Sequence, residues 1–182
     1  MEDRLIWIDV ETTGVNSNYD HLLQVACLVT TPDLEIVDAT GYEATIEYDP
    51  NFVEYMKEAS DRVVLDMHTR NGLWGECSKP TAKDIDLVDE ELSEYIRGLS
   101  PEPKRSFMAG NSIRLDRNFI ETDLPKVNDR LHYQSVDVTS LALTTRWWLG
   151  LPAMAKNREH TAMADIRESI KESRIIRDIF YI

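Results

Sequence analysis

Asp9-Val10-Glu11 closes the apolar stretch Leu5-Ile-Trp-Ile, and the alternation of a strand would turn side chains 9 and 11 to one face. Two carboxylates set against a hydrophobic strand repel one another and lose hydration, which is costly unless a cation shares their charge. Hard oxygen donors of this kind suit Mg²⁺ or Mn²⁺. Taken alone, Asp-x-Glu at a strand end is an ordinary solvated pair. Gly110-Asn-Ser-Ile-Arg-Leu-Asp116 would open a helix directly after a short strand, where a lone aspartate reads as a cap or first-turn acid. His160-Thr-Ala-Met-Ala-Asp165 sets an imidazole five residues ahead of an acid near the start of the last helix. A histidine titrates near neutrality and is suited to taking a proton, although a lone one is more often a surface or capping residue. Each segment has a bland explanation; their order and their strand-or-helix setting point to chemistry.

The elements that must position these residues follow from hydrophobic periodicity. Buried strands are expected at 5–9 and 22–30, joined by a polar loop with Gly14, Asn16, Ser17 and Asn18. Further strands are expected around 34–37 and 42–48 after short turns, which together suggest an antiparallel meander. From Pro50 the spacing becomes helical, and Ile85, Val88, Leu92, Ile96 and Leu99 recur at three and four residues in an acidic segment that should lie on the sheet. Strands at 106–110 and 135–138 each lead into a helix, near Asp116 and over 139–148, so two crossover units are implied. The last helix carries Ile166, Ile170, Ile176 and Phe180 along one stripe, with Asp165 near its start.

Asp9 and Glu11, then Asp116, then His160 and Asp165 resemble the three exonuclease motifs of the DEDD superfamily in its histidine-bearing subgroup. Within it the chain is similar to the oligoribonuclease family over nearly its whole length. Leu5 to Gly14, Met67-His-Thr-Arg-Asn-Gly-Leu73, Gly110-Asn-Ser-Ile113 with Asp116-Arg117, His132-Tyr133 with Asp137-Val138, and His160 to Ser169 carry the likeness. The resemblance implies an α/β domain of ribonuclease H-like type, a mixed sheet of antiparallel meander plus parallel strands flanked by helices. It implies a 3′-to-5′ exonuclease that hydrolyses very short oligonucleotides, dinucleotides above all, to 5′-mononucleotides. Asp9, Glu11, Asp116 and Asp165 would hold two divalent cations that clamp the attacking and leaving oxygens, with His160 as general base. By the same resemblance Val15 would wedge between bases, His68 would lie near the 3′ nucleotide, and Ser112 and Thr139 would cap the terminal 5′ phosphate. Tyr133 would reach across a homodimer interface. Val15, Tyr133 and Thr139 also have ordinary packing or helix-start roles available to them.

Two positions depart from the family pattern. Gln134 stands where an arginine usually serves the phosphate cap, and a neutral amide loses the charge-assisted fork. Val63 stands where a tryptophan usually encloses the substrate. Arg114, Arg117 and Arg130 are candidate replacements for the missing charge. These changes leave the choice between ribose and deoxyribose open, because that choice rests on the 2′-hydroxyl.

The 182 residues, 42% of them hydrophobic, have the material for one compact domain over 1–182. A formal charge of −13 argues against a grip on long nucleic acid, which needs many cationic contacts to phosphates. The apolar runs are too short to span a bilayer and no export signal opens the chain, so no membrane association is expected. Cys27 and Cys77 lie apart without zinc-site spacing, which favours a reducing, cytoplasmic setting. Three rivals remain at this point: an exonuclease proofreading or trimming longer single strands, a non-catalytic exonuclease-fold binding domain, and an acidic cation-binding protein.

Overall fold

The computed structural model describes residues 3–102, 104–152 and 161–180. Its centre is a five-stranded sheet of order β3-β2-β1-β4-β5. β1 (Arg4–Thr12) and β2 (Leu22–Thr30) pair antiparallel, as do β2 and β3 (Tyr42–Thr45). β4 (Ser106–Gly110) runs parallel to β1, and β5 (Leu131–Asp137) parallel to β4. The expected mixed sheet is therefore present. β1 and β2 read as almost unbroken apolar runs because both of their faces are covered.

Alternation along β1 feeds two separate cores. Ile6, Ile8 and Val10 pack on the face covered by α4 (Ile85–Leu99), α5 (Arg114–Asp123) and α6 (Pro125–Arg130), against Val88, Leu92, Ile96, Phe119 and Val127. Leu5 and Trp7 point the other way, toward α7 (Val138–Leu149) and α8 (Ala162–Phe180), and meet Val138, Ile166 and Ile170. A third cluster joins Leu23 of β2 to α1 (Pro50–Ala59) and α3 (Leu73–Glu76) through Val53, Met56, Leu73 and Trp74. Between them, α2 (Arg62–Arg70) carries one buried residue, His68, to the end of β1. Aspartates start four of these helices: Asp49, Asp61, Asp84 and Asp137 each accept N–H groups of the first turn. Part of the chain's acidity is thus spent on helix termini, where the macrodipole favours it.

Two expectations need correction. Residues 34–37 do not form a strand; Leu34 has a positive φ of 66°, and only one bridge, Thr30 to Ile36, survives the tight turn. The expected fourth strand is consequently the third, and it stops at Thr45. Phe180 lies at the end of α8, outside the buried stripe, and is exposed. No helix among the described residues is long and apolar enough to cross a membrane.

α6 depends on a carboxylate from α4. Asp89 is buried and accepts the N–H groups of Lys126 and Val127, both at 3.0 Å, at the start of that short helix. Replacing it leaves two donors at a buried helix terminus without their partner. Asp89→Ala is expected to lower unfolding stability by about 1–3 kcal/mol in urea titration; an unchanged midpoint would show that the cap contributes nothing.

Candidate active site

The carboxyl ends of the parallel strands β1, β4 and β5 lie at one edge of the sheet, the usual position for a site in α/β folds. Gly110, the last residue of β4, has no room for a Cβ, which would come within 2.9 Å of Ile113 and 3.3 Å of the Ile8 carbonyl. Its absence lets the chain turn directly beside β1. Ser112 then takes a left-handed conformation, φ 53°, and α5 begins with Asp116 in its first turn.

Asp9 and Glu11 follow Trp7 on the α8 face, and α8 presents Asp165 to them. Among the described residues these three could together hold a metal ion, their ligand atoms lying within 4.8 Å of one another. Asp116 stands beside the group and outside it. Its Oδ1 accepts the Val10 N–H at 3.0 Å, and its charge acts on Glu11. His160 lies outside the described residues. Its neighbour Thr161 accepts the Asp165 N–H through its carbonyl at 3.0 Å, in the first turn of α8.

Burial pushes the Glu11 carboxyl up to about 8, with further upward contributions from Asp165 and Asp116. Asp116 is pushed up to about 6, again first by burial and also by Asp137, against the downward effect of the Val10 hydrogen bond. Carboxylates crowded out of water in this way disfavour the folded state unless a proton or a cation is shared among them. The donor set is all oxygen, three carboxylates in one group with a fourth adjoining, and it fits a hard divalent cation.

The expected substrate positions are spread around this edge. Val15 is 76% exposed on a loop that Asp20 closes by accepting the Asn16 N–H at 2.8 Å. A Cβ on Gly14 would collide with the Asp20 carboxylate and displace it from the Asn16 N–H. Ser112 and Thr139 face each other, Oγ to Oγ1, at 3.1 Å. Gln134 is exposed, and its backbone N–H donates to His132 Nδ1 at 3.0 Å. Tyr133 is 82% exposed on the edge strand β5 with its ring against His132, 4.5 Å between centroids. Val63 is exposed in the first turn of α2.

His68 stands apart from these. It is fully buried, with Nε2 2.9 Å from the Thr12 carbonyl, Nδ1 3.9 Å from Glu11 Oε2, and its ring edge-on to Trp74. Burial lowers its pKa, so the ring supports the end of β1 as a neutral group. Of the candidate cations, Arg117 is engaged by the His132 carbonyl and Glu121, and Arg130 by the Ser100 and Pro101 carbonyls. Arg114 is exposed, two residues after Ser112.

Sequence reasoning assigned no role to Asp137 or Asn111. Asp137 accepts the N–H groups of Ser112 and Ser140, which holds the β4–α5 turn to the start of α7. Asp137 three residues before Ser140 is a helix-start signature that could have revealed half of this arrangement. The bond to Ser112 spans 25 residues and has no local signal.

Comparison with known proteins agrees with this architecture. Residues 6–173 match the exonuclease (RNase_T) family. The oligoribonuclease of Mycobacterium leprae is 40% identical over 184 aligned positions, covering 97% of this chain and 81% of that protein. That of Mycobacterium tuberculosis is 38% identical, with the same coverage of both chains. Among solved structures, exonuclease I of Methylocaldum szegediense superposes with a TM-score of 0.74 at 17% identity, over 97% of this chain and 40% of its own. Escherichia coli exonuclease I, solved with a dT13 oligonucleotide, gives 0.67 at 13% identity, over 98% of this chain and 41% of its own. The chain thus spans about two fifths of those longer proteins, with which it shares the ribonuclease H-like exonuclease fold. The protein is a member of the oligoribonuclease family of DEDDh exonucleases.

Proposed function

We propose that this protein hydrolyses very short oligonucleotides, dinucleotides foremost, from the 3′ end and releases 5′-mononucleotides. The observation that carries this reading is the convergence of Asp9, Glu11 and Asp165 at the carboxyl edge of the sheet, with Asp116 adjoining. These four side chains would hold two divalent cations, Mg²⁺ or Mn²⁺. Bound there, the cations would offset the carboxylate repulsion and supply the positive charge that a phosphodiester's developing negative charge requires.

The chain's own residues do the remaining work. His160 takes the proton of the attacking water on an imidazole nitrogen. Val15 supplies an exposed apolar surface against which a base is wedged. Ser112 and Thr139 offer hydroxyl donors to a terminal 5′ phosphate, and Gln134 leaves that cap without the family's guanidinium. His68 holds the end of β1, and with it Glu11, beneath the 3′ nucleotide. A cap without that guanidinium, on a chain of charge −13, discourages long polyanions and leaves recognition to a few donors. The exposed Tyr133 on an edge strand supports a homodimer in which it reaches the neighbouring copy's site. Buried free thiols at Cys27 and Cys77 suit a reducing, cytoplasmic compartment.

A turnover assay on 5′-phosphorylated ribo- and deoxyribodinucleotides, each with Mg²⁺ and with Mn²⁺, fixes sugar and metal together. The dinucleotides should be cut faster than a strand of about twenty nucleotides by about a hundredfold in kcat/KM. Equal rates would overturn the short-substrate reading. His160→Ala should bind metal and dinucleotide yet lose about 10²–10⁴ in kcat, whereas Asp9→Ala should lose metal binding as well. Parental turnover by His160→Ala would remove it as the base.

Metal and proton compete for the same oxygens, which gives stability a defined pH dependence. Between the ordinary glutamate value of 4.5 and about 8, the folded protein keeps a proton on Glu11 that the unfolded chain releases. Its contribution to stability therefore falls as pH rises through that window, and the full cost persists above it. Metal-free protein at pH 8 is expected to gain about 1–3 kcal/mol from Glu11→Gln. The rise in Tm on adding Mg²⁺ to the parent should also be larger at pH 8 than near 5. A Mg²⁺ effect independent of pH would contradict the shared-site electrostatics.

A further inference from the structure

The two hydroxyls of the proposed phosphate cap belong to a longer chain of hydrogen bonds. Thr139 Oγ1 donates to Asn111 Oδ1 at 3.2 Å. Asn111 Nδ2 donates to Ser169 Oγ at 2.7 Å and approaches Glu172 Oε2 at 3.4 Å. Ser169 Oγ in turn donates to the carbonyl of Asp165 at 2.9 Å. Ser169 and Glu172 both lie buried on α8.

Counting protons orders this chain. A hydroxyl carries one hydrogen. Thr139 spends its own on Asn111, so in the Ser112–Thr139 contact Ser112 is the donor. Ser169 spends its own on Asp165, so its oxygen accepts from Asn111. The Asn111 amide keeps its nitrogen toward α8, because turning it over would set its oxygen against the Glu172 carboxylate oxygen. Every donor points the same way, from Ser112 through Thr139, Asn111 and Ser169 to the Asp165 backbone, and each bond polarises the next.

A terminal phosphate dianion only accepts hydrogen bonds. It takes the Ser112 hydrogen by rotation of that hydroxyl, and takes the Thr139 hydrogen only by withdrawing it from Asn111. Occupancy of the cap is thereby felt at Asn111, and Asn111 is bonded to the helix that carries Asp165 into the carboxylate group. We propose that Asn111 is a positioning residue that couples engagement of the substrate's 5′ phosphate to the placement of α8, so that a substrate short enough to reach the cap is also the one cut fastest. This rests on the exonuclease reading above and on its phosphate cap. Asn111 would otherwise be a stitch between β4 and α8, which supports the fold equally for every substrate.

The measurement that separates the two is the ratio of kcat for a dinucleotide with a 5′ phosphate to kcat for the same dinucleotide ending in a 5′ hydroxyl. The parent enzyme should favour the phosphorylated substrate by about tenfold or more. Asn111→Ala should bring that ratio close to one, with the loss in kcat exceeding that in KM. Ser169→Ala should do the same one link further along, although Ser169 does not touch the cap. A stitch would lower both substrates by a common factor and leave the ratio at its parental value. Retention of the parental ratio in Asn111→Ala, or in Ser169→Ala where the first variant does not fold, overturns the coupling alone. A parent indifferent to the 5′ phosphate overturns the cap reading and the coupling with it, while cleavage of both dinucleotides in that case leaves the exonuclease reading standing.

Discussion

Mutual repulsion among Asp9, Glu11 and Asp165, with Asp116 alongside, is the constraint around which the rest of the structure is arranged. Water would screen these charges if the group were at a loop tip, but Glu11 and Asp116 are buried. Holding them there requires elements that do not yield. β1 is the middle strand of the sheet, fixed by an antiparallel ladder on one side and a parallel one on the other. α8 is seated on it through Ile166 and Ile170 packed over Trp7. Apolar burial at about 25 cal/mol per Å² holds this frame, and the carboxylates draw on its stability.

Much of that frame is legible in the chain. The alternation Trp7, Asp9, Glu11 announces which face the acids share, and the spacing of Val88, Leu92 and Ile96 announces the helix on the opposite face. Strand-to-helix steps before Asp116 and before Thr139 announce the parallel half of the sheet. Legibility fails where local pattern and tertiary demand differ. The residues 34–37 have strand composition, yet the turn needs Leu34 at positive φ and leaves one bridge. α2 and α3 fall in the segment of helical spacing after Pro50 but are not separable there, because both are short and α2 has a buried histidine in place of an apolar stripe. The site follows the same rule. The resemblance of the motifs suggested which acids meet, whereas the bond from Val10 to Asp116, across 106 residues, had no signal in the sequence.

His68 illustrates how a motif residue can have a structural role at its position. Its resemblance to a substrate-contacting histidine comes from the Met67-His-Thr-Arg sequence. Its surroundings are a carbonyl, a glutamate and an indole, all within a closed interior. A neutral imidazole there bonds the last turn of β1 without adding a charge to the crowded acids, whereas a lysine or arginine would compete with a cation for Glu11. The choice of histidine is therefore consistent with a site that must accept divalent metal.

The departure at Gln134 changes the physics of the proposed cap. An arginine recognises a terminal phosphate by charge, and charge acts over distance on any phosphate in the strand. Hydroxyls recognise it by hydrogen-bond geometry, which falls away within a few tenths of an ångström. Ser112 and Thr139 belong to one donor chain whose far end is the Asp165 backbone, so a phosphate gains their hydrogens only by drawing them out of bonds already made. A cap of this kind gains less from a phosphate that is merely nearby and keeps most of its benefit for one that is correctly seated. In a protein of net charge −13 that is an advantage, because a longer strand brings further repulsion without further donors. In the proposed cap, discrimination by length would arise from the geometry of these hydroxyls, whose bonds tie the cap to the helix that bears Asp165.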